Sequence, residues 1–227
     1  MSKRSLLGRL RTRLIGALFF YLAQPVAHSG TAGESLRDVL KPGDVLLSEG
    51  NTRMAALVRR ITRSSWSHVA MYVGPLEQGP DPRCIVEAHF AAGVRAVPLS
   101  EFDGQRARVL RPVGLGEADR ELIVNWVVRR IGNPYDLAHA WALSKWLLRL
   151  TPSPSAMAED AKRFICSSLL AHAFLFVGFP IAASQMRTLI PRDFETASGL
   201  ELVKESEIVG GADGTRTRDP RRDRPVF

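Results

Sequence analysis

The chain has 227 residues, is 45% hydrophobic and 24% charged, and carries a formal net charge of +8. This is ordinary material for one globular domain with appendages, and two cysteines, Cys84 and Cys166, are too few for a disulfide scaffold. The basic excess sits at the ends, with Lys3, Arg4, Arg9, Arg11 and Arg13 at the start and Arg216, Arg218, Arg221, Arg222 and Arg224 at the finish. No basic helix interleaved with stacking aromatics lies between, which argues against nucleic acid as a partner.

Residues 14–27 are apolar but shorter than the ~20 residues a spanning helix needs. Arg9 and Arg13 flank a Leu/Phe face, so the stretch is expected to lie in a membrane interface. A signal-peptide core with Ala27-His28-Ser29 as cleavage site ranks second, and a helix docked on the domain third. Residues 1–33 are accordingly set apart from a domain at 34–208. Residues 209–227 combine Gly, Pro and alternating charge with little to bury, and are expected to be a disordered basic tail.

Within the domain, Pro42-Gly43-Asp44 is a turn and Val45 to Ser48 an apolar strand. Asn51 is the expected N-cap of a short amphipathic helix carrying Met54, Leu57, Val58 and Ile61. HVAMYVG, RCIVEAHF, GVRAVPL and ARVLRPV supply four further strands. Helical spacing of Leu122, Ile123, Trp126, Val127 and Arg130 predicts a helix over 117–131, stopped by Gly132. Asn133-Pro134-Tyr135-Asp136 opens another helix to about residue 150, a loop covers TPSPSAMAED, and Cys166 begins the last main helix. The order predicts an α+β domain, an antiparallel sheet packed against helices.

Cys166 stands where a polar loop turns into the apolar run CSSLLAHAFLF. In the first turn of a helix, the free N–H groups and the helix dipole favour a thiolate. A nucleophile there needs a base and an orienting group. Alternation puts His68, Ala70 and Tyr72 on one strand face, and Ile85, Glu87 and His89 on one face of the next. If those strands pair, a carboxylate can fix the tautomer of His68 and leave its other nitrogen for the thiol proton. His89 is a rival to Glu87 for that role. Cys84 reads as structural, and His139 and His172 as helix packing or surface residues. No His-x-x-x-His or Cys-x-x-Cys spacing suggests zinc, and no phosphate-cradling glycine loop or Gly-x-Ser-x-Gly elbow is present, so neither a metal nor a cofactor is expected.

Together PGDVLLSEGN, SHVAMYVG, IVEAHFAAGV, GNPYDL and FICSSLLAHAF resemble the permuted papain-like amidases of bacteria. These are the YiiX-like branch of the NlpC-type cysteine hydrolases, with lecithin retinol acyltransferase as a distant relative. The resemblance covers roughly residues 40–194 and follows the permuted order, His strand first and Cys helix last. It implies a circularly permuted papain-like fold with Cys166 as nucleophile, His68 as base, Glu87 as third member and Tyr135 near the nucleophile, helping to hold the oxyanion. Asp44 matches a family position and is expected to shape the first strand. The expected activity is hydrolysis of an amide or ester, in a cell-wall peptide or a lipid-derived acyl group, through an acyl-thioester. An acyltransferase using the same thioester and a non-catalytic lipid- or peptide-binding module are the alternatives. The basic start places the protein at a bacterial membrane surface, or in the periplasm if that segment is a signal peptide.

Overall fold

The computed structural model describes residues 36–137, 140, 145, 150, 164–181 and 189–207. The N-terminal segment, His139, most of the helix expected to reach residue 150, the TPSPSAMAED loop and the basic tail lie outside them. Six strands form one antiparallel sheet: β1 (Val45–Ser48), β2 (His68–Tyr72), β3 (Arg83–His89), β4 (Gly93–Pro98), β5 (Arg106–Pro112) and β6 (Leu200–Glu207), in the spatial order β4-β3-β2-β1-β5-β6. Strand β1 pairs with β2 on one side and β5 on the other. All four of its residues are buried, because both faces of the sheet are covered. That is why its sequence is a continuous apolar run rather than an alternation.

The two faces carry separate cores. Val45, Leu47, Val69, Met71 and Val86 pack against α2 (Glu117–Val128) and α3 (Cys166–Phe176) through Ile123, Val127, Leu169, Leu170 and Phe174. On the reverse, Leu46, Ala70, Ile85 and Val109 are covered by Leu36, Leu40 and the 3₁₀ turn Leu99–Phe102. Arg37 ties the covering segment down through a 2.8 Å contact with Asp81.

The helix ends follow local chemistry. Helix α1 (Arg53–Thr62) is capped by Thr52, whose hydroxyl accepts the Ala55 N–H at 3.1 Å, one residue later than the expected Asn51. It ends at Arg63, which takes the left-handed conformation. Helix α2 opens with Glu117 and Asp119 at the positive end of its dipole and stops at Val128, three residues short of the expected 131. Three elements were not anticipated, the 3₁₀ turn Leu99–Phe102, β6 and the short α4 (Pro191–Glu195). β6 is an edge strand whose Glu205 pairs with Arg106 and Arg108, and Arg108 also reaches Glu195 at 2.6 Å. Charge marks such an edge, so its sequence lacks the apolar alternation of an interior strand.

Asp44 sets the entry to β1, as its position in the turn suggested. It is fully buried, accepts the Lys41 N–H at 2.8 Å, and takes a two-pronged contact from Arg111 of β5 at 2.8 and 2.6 Å. Asp44→Ala takes the carboxylate from Arg111, which keeps its 2.7 Å bond to the Val39 carbonyl, and leaves the turn amide without its acceptor. We expect a loss of about 3 kcal/mol in urea unfolding, at the low end for a broken buried pair because Arg111 keeps some contact with water.

Candidate active site

His68 opens β2 and Glu87 lies in β3, and the two strands pair antiparallel with Met71 opposite Val86 and Tyr72 opposite Ile85. This register puts His68 and Glu87 on one face, with Ala70 and Ile85. His68 Nε2 lies 2.6 Å from Glu87 Oε2. Glu87 is 3% exposed. Its second oxygen receives Arg95 of β4, through Nε at 2.8 Å and Nη2 at 2.7 Å. Arg95 is a site residue that sequence reasoning missed. The signal was present as an opposite charge on the neighbouring strand, but only the register makes Arg95 face Glu87.

His89 does not take the orienting position. Its Nδ1 accepts the Ala91 N–H at 3.3 Å and its ring packs on Phe90 at 4.6 Å. Burial and the nearby Arg95 push its pKa down, which favours the neutral ring.

Cys166 is the first residue of α3. The N-cap residue, Ile165, offers no side-chain oxygen to the helix. Ser168 turns its hydroxyl back to the Ile165 N–H at 3.0 Å, and Ser167 gives its hydroxyl to the Leu189 carbonyl at 2.6 Å. Both serines are thus committed away from the first-turn amides, and no side chain caps the helix beside the sulfur. Helix α3 lies over the Val69–Met71 face, opposite the one that carries His68. The two meet because His68 is the terminal residue of β2, where the sheet ends. Burial pulls the His68 pKa down, but the Glu87 charge and hydrogen bonds to Cys166 and Glu87 outweigh it and hold the group at about 10. Since Nε2 is committed to Glu87, Nδ1 is the nitrogen left for the thiol.

Tyr135 reaches this place through its backbone. It forms a parallel bridge with Phe164, and Asp136 donates its N–H to the Phe164 carbonyl at 3.1 Å, two residues before Cys166. The turn is anchored on Gly93 of β4. Val94 donates to the Asn133 carbonyl at 2.8 Å, and a Cβ on Gly93 would overlap that oxygen. Burial pushes the Tyr135 pKa up, with the Cys166 and Asp136 charges adding to it, so the phenol stays a donor. Cys84 is buried in the reverse core, in keeping with its structural reading. His172 contacts the Ser168 carbonyl through Nδ1 at 2.7 Å and packs edge-on to Phe164, as a packing residue does.

The His68–Glu87 pair sets a pH window for stability. Burial alone would raise Glu87, but His68 and Arg95 hold it at about 2, against an ordinary 4.5. Its stabilising share is present above 4.5 and is lost as pH falls through about 2. The share from His68, ordinarily at 6.5, is full below that value and is lost as pH rises through about 10. The difference in unfolding free energy between wild type and Glu87→Gln should therefore be greatest between pH 4.5 and 6.5 and shrink on both sides. Urea titrations across the pH range measure it, and a difference independent of pH would show that the pair is not charged in the folded state.

The family described as permuted papain-like amidase enzymes, YaeF/YiiX, C92 family, matches this sequence over residues 39–210. Among solved structures, the fold is similar to that of metalloprotein yiiX from Escherichia coli O157:H7, with a TM-score of 0.54 and 16% identity over 74% of this chain and 98% of that one. No curated protein matches the sequence. The word metalloprotein belongs to that relative. Among the described residues of this chain, no three His, Cys, Asp or Glu side chains are grouped so as to hold a metal ion.

Proposed function

We propose, for a chain that belongs to the permuted papain-like amidases and is thus a hydrolase of the cysteine type, that it cleaves an amide or ester through an acyl-thioester on Cys166. The observation that carries this reading is His68 bound by Nε2 to a buried carboxylate, with Cys166 near enough at an uncapped helix start to help raise the His68 pKa.

His68, held at about 10, carries a proton at neutral pH, so the reacting pair is a Cys166 thiolate beside a His68 imidazolium that Glu87 stabilises. The Cys166 sulfur attacks the carbonyl carbon of the substrate, and the carbonyl π electrons move to oxygen. The first-turn N–H groups of α3 and the Tyr135 hydroxyl receive that oxyanion, each donor worth about 3 kcal/mol in comparable hydrolases. Collapse of the adduct breaks the bond to the amine or alcohol, which leaves with the His68 proton. Water then attacks the thioester and gives a proton back to His68, releasing a carboxylic acid and restoring the Cys166 thiolate beside the His68 imidazolium. A peptide amide of the cell wall or a lipid-derived acyl group is the substrate class this chemistry suits.

The test uses a panel of acyl esters and acyl amides, with product release and the mass of the Cys166 peptide as readouts. Wild type should accumulate one acyl group on Cys166, labile to hydroxylamine. Cys166→Ala should lose turnover by at least roughly a thousandfold. Because the side chain is only half-buried, the same change should cost less than about 1 kcal/mol of stability. Turnover retained in Cys166→Ala ends the thioester reading. Transfer of the acyl group to added amine in preference to water would make the protein an acyltransferase.

A further inference from the structure

The Glu87 carboxylate has two oxygens, and the base needs only one. Oε2 serves His68, while Oε1 accepts from Nε of Arg95 at 2.8 Å and lies 2.7 Å from its Nη2. Arg95 stands directly opposite Glu87 in the β3–β4 ladder, so the backbone register delivers the guanidinium to that oxygen. Its Nη2 also contacts Glu101 of the 3₁₀ turn, which holds the group from its outer side. The terminal torsion of a glutamate is soft and roughly two-fold. A planar fork closing on one oxygen removes that freedom, which a point charge on a flexible stem does not do.

We propose that Arg95 is a positioning residue: its fork fixes the Glu87 carboxylate so that Oε2 stays on His68 Nε2. The inference rests on the reading in which Glu87 orients the base of Cys166. Arg95 acts through Glu87 and needs no contact with substrate.

The charged and titratable groups around Glu87 are His68 from β2, Arg95 from β4, His89 from β3 and Glu101 from the 3₁₀ turn, with Cys166 from α3 beyond His68 and Tyr135 beyond Cys166. Only His68 and Arg95 hold Glu87 down against burial. Without Arg95, the carboxylate must take its proton at higher pH.

Alkylation of Cys166 by iodoacetamide, followed through the mass of its peptide in the full-length protein, reads this without knowledge of the substrate. Arg95→Met should move the acid limb of the rate–pH profile up by roughly one unit, about a tenfold loss of rate on that limb. Arg95→Lys, which keeps the charge and loses the fork, should shift the same limb less far, and it carries the test if Arg95→Met does not fold. Glu87→Gln should be impaired, and Arg95→Met added to it should cost no more than about twofold further, because both changes break one linkage. A wild-type profile in either Arg95 variant, or losses that multiply in the double variant, overturns the proposal. An unimpaired Glu87→Gln removes the orienting role of Glu87 itself. Impairment of Glu87→Gln alone removes only the part given to Arg95.

Discussion

The constraint on which the site depends is a carboxylate taken out of water. Glu87 lies at 3% exposure in a strand whose other buried residues are Cys84, Ile85, Val86 and Ala88. An isolated charge there would cost several kcal/mol, so it persists only with partners. Those partners come from the strands on either side, His68 of β2 and Arg95 of β4. Three strands must therefore be in register before the carboxylate is satisfied. A slip of one residue would turn Glu87 into the opposite core. The buried charge and the sheet register specify each other.

The same sheet explains how residues on opposite faces cooperate. The imidazole and carboxylate belong to the face covered by Leu36, Leu40 and Phe102, while the helix that carries the sulfur packs on the other. An imidazole and a sulfur from opposite faces of a sheet can meet only at its margin, and His68 is the terminal paired residue of β2, opposite Ser48 of β1. Gly93 performs a comparable service on β4. Having no side chain, it lets the Asn133 carbonyl approach the strand, and Tyr135 is carried toward the segment that precedes Cys166.

Much of this was legible in the residues. The apolar run of β1, the alternation of β2 and β3 and the polar-to-apolar switch at Cys166 each announce a local structure, and the strand faces correctly group His68 with Glu87 once the strands pair. The rivalry between Glu87 and His89 was not legible, because both project to one face and only coordinates show which reaches the ring. Arg95 was hidden for a related reason: a cross-strand partner is set by register, which no single strand encodes. β6 was hidden because an edge strand tied by Glu205 to Arg106 and Arg108 looks like surface charge. The cap of α1 moved from Asn51 to Thr52 since either side chain suits the position.

The permuted order has a temporal side. The strand bearing the imidazole leaves the ribosome well before the helix bearing the sulfur, and residues of β1, β2 and β3 have paired partners that precede α3 in the chain. A chain that stops before α3 thus holds the imidazole and the carboxylate without the sulfur. The imidazole and the sulfur can therefore meet only late in synthesis, and β6, the last strand of the sheet, is made later still.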